Sequence, residues 1–111
     1  MKHVAMIAVL GLVSTAAFAD DVAVPEKAPT CFGCHGQAGA KPVASNYPVL
    51  AGQYANYLEH ALNEYKDGKR KNAIMGAQAA GLSPEEIKAL AHYFGVQESP
   101  LYTPSVHGAL K

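Results

Sequence analysis

The chain has 111 residues, half of them hydrophobic, and its nine basic and nine acidic side chains give a formal charge of zero. That length fits one domain with a modest core. The even charge balance excludes the strong basic field that nucleic acid or an acidic lipid surface would select, and two cysteines are too few for a disulfide framework.

The first element is a leader. Lys2 and His3 form a short basic start, residues 4–13 are almost wholly apolar, and Ala17-Phe18-Ala19 puts small residues at the positions a signal peptidase reads. Residues 1–19 are therefore expected to be a cleaved signal peptide and the mature protein to be periplasmic. A membrane anchor needs about 20 apolar residues, and residues 4–19 fall short even with Gly11, Ser14 and Thr15 included. Cleavage after Ala19 leaves no membrane span. It leaves residues 20–96 as one domain and residues 97–111 as an irregular tail.

Residues 20–29 contain Pro25 and Pro29 and little periodicity, which reads as a loop or a single turn. Cys31-Phe32-Gly33-Cys34-His35 follows, the attachment signature of a c-type haem. Its two thiols can add across the haem vinyl groups as thioethers, and the adjacent imidazole can bind the iron. The competing readings are poorer. A redox dithiol belongs after a strand, and no strand pattern precedes Cys31. A structural zinc site needs about four ligands, and His60 and His92 are too far apart in sequence to complete one. Gly36, Gly39 and Pro42 then read as a flexible crossing over the haem edge.

In Pro48-Val49-Leu50, the Pro48 carbonyl is a candidate acceptor for the second ring nitrogen of His35, and Leu50 a candidate to pack on the ring; an ordinary loop proline is the alternative. The period of Tyr54, Leu58, Ala61, Leu62 and Tyr65 predicts a helix over residues 53–66 that stops at Gly68. Lys69-Arg70-Lys71 reads either as a solvated loop or as a docking rim for an acidic partner. Met75 is expected in a loop, in Asn72-Ala73-Ile74-Met75-Gly76-Ala77. It is the sole methionine outside the leader and the candidate second axial ligand. His60 falls off the apolar stripe, His92 flanks another and His107 lies in the tail, so none competes well. Ser83, Pro84 and Glu86 form a helix start with a capping box, Ile87, Leu90, Ala91 and Phe94 make its buried stripe, and Gly95 is expected to end it. No strand or repeat emerges. The expected fold is all-α, a small helical domain wrapped around one covalently attached haem.

These motifs, in this order, resemble class I cytochromes c, and most closely the bacterial branch whose small domain also occurs twice over in periplasmic dihaem cytochromes. The resemblance is carried by Cys31-Phe32-Gly33-Cys34-His35-Gly36, by Tyr47-Pro48-Val49-Leu50-Ala51-Gly52-Gln53 leading into Tyr57-Leu58, by Gly68 and Arg70, by Met75, and by residues 82–87 and 90–94. It implies one haem c with iron held by His35 and Met75, thioethers at Cys31 and Cys34, and His35 clamped by the Pro48 carbonyl. It also implies one-electron shuttling between a redox protein donor and an acceptor, either of which is a membrane-bound or periplasmic oxidoreductase. In one respect the chain departs from that family. Residues 24–29 lack the glycine–aromatic pair of the usual N-terminal helix, which leaves the Leu90/Phe94 face to be covered by Leu101 and Tyr102 of the tail or by another subunit.

The leading functional reading is an electron carrier and not an enzyme, since two filled axial positions limit exchange of ligands at the iron. The alternative is the haem c electron-transfer subunit of a larger oxidoreductase complex. Catalysis or gas sensing at an open iron has no clustered acid/base pair to support it.

Overall fold

A computed structural model describes residues 22–102, so the leader, residues 103–111 and His107 lie outside the described residues. Among the described residues the chain is entirely helical. The elements are α1 (Ala28–His35), a 3-10 turn (Gln37–Gly39), α2 (Ala55–Asp67), α3 (Ala73–Ala80) and α4 (Pro84–Gly95).

Helix α1 begins where a loop was expected. Pro29 falls within its first turn, where a missing N–H leaves no bond unmade. The Ala28 N–H donates back to the Pro25 carbonyl at 2.9 Å. The attachment motif is therefore helical throughout, and the spacing of Cys31 and Cys34 sets them one turn apart. The glycine crossing that follows is a fixed turn and not a flexible one. Gly39 is buried at φ +71°, and a Cβ there would lie 2.8 Å from Leu50 Cβ and 2.9 Å from the Phe94 ring. Only glycine meets both demands. Its carbonyl accepts from the backbone N–H groups of Leu50 and Ala51 at 2.9 and 3.1 Å.

Helix α2 starts two residues later than expected, at Ala55. Tyr54 is the extended N-cap residue and is 79% exposed, so it leaves the buried face to Leu58 and Ala61. Gly68 closes the helix in the left-handed conformation, as expected. Helix α3 was not foreseen. The Asn72 side chain accepts from the N–H groups of Ile74 and Met75 at 3.1 and 3.0 Å, and the alanine-rich run after it has high helix propensity. Met75 therefore sits in the first turn of a helix and not in a loop.

Helix α4 carries the expected capping box: Glu86 N–H donates to Ser83 Oγ at 3.1 Å and Ser83 N–H donates to the Glu86 carboxylate at 2.9 Å. Gly95 is its last helical residue and not the residue beyond it. It is small because a Cβ would lie 3.1 Å from the Gln53 carbonyl and 3.3 Å from Ala55 Cβ, where α4 crosses the start of α2.

The core joins α1, α2 and α4 through Ala28, Leu58, Leu90, Ala91, Tyr93 and Phe94. The Leu90/Phe94 face has its cover within the domain. Phe32 packs edge-on against Phe94 at 6.2 Å between ring centroids and tilted against Tyr93 at 6.3 Å, while Val22 and Ala28 fill beside it. Leu101 and Tyr102 are exposed. Phe32, between the two thiols, thus supplies what a separate N-terminal helix would have supplied. Phe32→Ala should lower the stability of the holoprotein by about 2 kcal/mol, below the ~3–5 kcal/mol of a fully buried phenylalanine because Phe32 is half-buried. Chemical denaturation measures this, and an unchanged midpoint would show that the aromatic contact contributes nothing.

Candidate functional site

Helix α1 and the loop after it present their reactive groups to one cavity. It has a volume of about 540 Å³, and Cys31, Cys34, His35, Pro48, Leu50 and Met75 all line it. Sequence reasoning thus singled out six residues from three separate segments, and the fold brings all six to the same space. Its apolar walls come from Leu58 and Leu62 of α2 and from Leu90 and Phe94 of α4.

His35 is 5% exposed, at the last position of α1. Its Nδ1–H donates to the Pro48 carbonyl at 2.8 Å. A carbonyl only accepts, so a proton belongs on Nδ1, and of the two neutral tautomers the bond selects the one with its lone pair on Nε2. That is the state a metal-binding imidazole requires. The loop that supplies the acceptor is itself tied down: Val43 N–H donates to the Cys34 carbonyl at 3.0 Å, Tyr47 N–H to Ala44 at 3.1 Å, and Leu50 N–H to Gly39 at 2.9 Å.

Burial pushes the Cys31 thiol above its ordinary pKa, with a backbone hydrogen bond opposing in part. Reactive dithiols need the opposite shift, so nothing at Cys31 favours the redox-dithiol alternative. The zinc alternative has none either. Among the described residues no three His, Cys, Asp or Glu side chains gather as a metal site. His60 is exposed and pairs at 3.3 Å with Glu64, its neighbour one turn on, and His92 is exposed on α4.

Several groups at the cavity were missed by residue-level reasoning. The Arg70 guanidinium donates to Tyr57 Oη at 3.3 Å and lies 5.2 Å from the centre of the Tyr65 ring. The bond to Tyr57, first, and the nearby phenols hold its pKa above the usual arginine value, so it is a permanent cation at the cavity rim. Read from the sequence, Arg70 is hidden between two lysines in a run that looks solvated. Its status as the sole arginine was the available signal.

A flat, mostly apolar macrocycle fits this site. The volume lies in the ~300–1,000 Å³ range of cofactor pockets. The walls are aliphatic and aromatic, two thiols and a correctly protonated imidazole enter from α1, and a thioether enters from α3.

Comparison with known proteins agrees. The family model for cytochrome c matches residues 20–95. The chain is 40% identical over 94 residues to a thiosulfate dehydrogenase electron acceptor of Thiomonas intermedia, covering 85% of this chain and 43% of that protein. It is 44% identical over 82 residues to cytochrome c-554(548) of Halomonas halodenitrificans, covering 71% and 98%. It is 38% identical over 96 residues to cytochrome c4 of Pseudomonas aeruginosa, covering 86% and 47%. The chain therefore spans less than half of the first and third of these proteins and nearly all of the second.

Without a ring to fill it, this cleft of about 540 Å³ leaves the side chains of Leu58, Leu62, Leu90 and Phe94 against water, and the burial they lose, worth about 25 cal/mol per Å², is a large share of what a domain this small can spare. Chain produced without haem, as a Cys31→Ala/Cys34→Ala protein, should therefore flood or collapse and not keep this shape. Far-UV circular dichroism should show reduced helix and no cooperative melt; native-like helix with a sharp transition would contradict this.

Proposed function

The chain belongs to the cytochrome c family, and from that premise we propose that it carries single electrons between redox proteins of the periplasm through one His/Met-ligated haem c. Cys31 and Cys34 would hold the group as thioethers, and His35 Nε2 and the Met75 sulfur would be the axial ligands. When bound, haem supplies a one-electron iron couple. The chain's residues do the rest. Leu50, Leu58, Leu90 and Phe94 would keep water from an apolar group in the cavity, the Pro48 carbonyl fixes the tautomer of His35, and Arg70 with Tyr57 would offer a cation and a hydroxyl to an acidic substituent.

The observation that carries this reading is the 2.8 Å bond from His35 Nδ1 to Pro48 beside a cavity that Met75 also lines. Two protein ligands leave no open position for substrate, which is what a carrier needs. The name of the Thiomonas intermedia relative, an electron acceptor of thiosulfate dehydrogenase, supports a dehydrogenase as donor. The basic leader with its Ala17-Phe18-Ala19 site supports export, and among the described residues no helix is long and apolar enough to cross a membrane. Arg70 lines the site, and it and its neighbours Lys69 and Lys71 are all exposed, so the run supplies local positive potential for an acidic partner.

Replacing the thioether tests the assignment. Met75→Ala should lower the reduction potential by on the order of 0.1 V or more, well inside the ~0.8 V that axial ligands command. The reduced variant should also gain carbon monoxide binding that the parent lacks. His60→Ala and His92→Ala should change neither property. A Met75→Ala protein with the potential and carbon monoxide response of the parent would refute Met75 as the ligand.

A further inference from the structure

Pro48 is exposed, yet its carbonyl holds the hydrogen bond that orients His35. A carbonyl on an exposed loop residue has water as a competing donor, and hydrogen bonds weaken where water enters. Something must keep this bond dry.

The side chain placed to do so is Tyr47. Its ring meets the His35 imidazole edge-on, with centroids 6.3 Å apart and planes at 63°, a favourable aromatic geometry. It is half-buried and lines the same cavity as His35. It is also held firmly, because its own N–H closes a turn on Ala44, and the loop is pinned to Cys34 on one side and to Gly39 on the other. The hydrogen bond and the ring contact therefore come from consecutive residues, Pro48 supplying the acceptor and Tyr47 the wall beside it.

We propose that Tyr47 is a positioning residue for the axial histidine: its ring shields the bond from His35 Nδ1 to the Pro48 carbonyl from solvent and fixes the plane of the imidazole. Its effect runs through His35, the ring it packs against. The phenol oxygen has no part in this, so Phe should serve as well as Tyr. The inference rests on His35 being an iron ligand.

The test is solvent exchange of the His35 Nδ1–H proton, followed by NMR at one pH in the reduced holoprotein. Tyr47→Phe should exchange at the parental rate. Tyr47→Ala should exchange at least tenfold faster. Tyr47→Leu, which keeps apolar volume and protects the fold, should exchange at least threefold faster. Parental rates in both Ala and Leu variants, or a Phe variant as fast as Ala, would overturn the role of the ring. If Tyr47→Ala fails to assemble with haem, the Leu and Phe variants decide alone. Failure of the underlying reading would look different: the parent itself would then show no Nδ1–H resonance shifted by the haem ring current.

Discussion

The hydrogen bond from His35 Nδ1 to the Pro48 carbonyl is the constraint around which this small domain is arranged. It joins the end of α1 to a loop thirteen residues on, and fixes at once the tautomer, the rotation and the free lone pair of the imidazole. Each neighbouring feature serves that contact. The turn at Gly39 brings the loop back, the Gly39 carbonyl ties Leu50 and Ala51, and the Phe94 ring packs where only a glycine leaves room. A displaced loop would leave a buried imidazole with no acceptor, a cost of about 1–3 kcal/mol, and would aim the lone pair away from the cavity.

A second economy lies in α1. The eight-residue helix carries the thiols and the imidazole on the side facing the cavity, and through Phe32 and Ala28 it also closes the core against Tyr93 and Phe94. Attachment chemistry and helix packing share a single turn of chain. That sharing explains how a domain of this size stays closed without the longer N-terminal helix that the resemblance led one to expect. It also couples the two functions, since any movement of α1 on α4 moves the thiols and His35 together.

Much of this was legible in the sequence where the signal was local. The spacing of Cys31, Cys34 and His35 specifies its chemistry outright, Ser83 and Glu86 announce a helix start within four residues, and Gly68 marks a stop. The less visible features had non-local or weak causes. Helix α3 has no apolar stripe, only the Asn72 cap and a run of alanines, so Met75 looked like a loop residue. The partner of the Leu90/Phe94 face was Phe32, in a motif read for its cysteines and its histidine. Tyr54 fits the apolar period of α2 but precedes its first helical residue and points to solvent. Gly95 looked like a terminator because glycine often is one, whereas here it admits the backbone of Gln53. Arg70 was obscured by its lysine neighbours until the fold stacked it on Tyr65.

The central claim is that α1 and α3 deliver two different axial ligands, His35 and Met75, to one iron. X-ray absorption at the iron edge of the oxidised, purified holoprotein addresses it without mutation and without a partner. The account predicts a sulfur neighbour in the iron's first coordination sphere together with nitrogen. A sphere of nitrogen with no sulfur would contradict it, and would place a second histidine where Met75 is assigned.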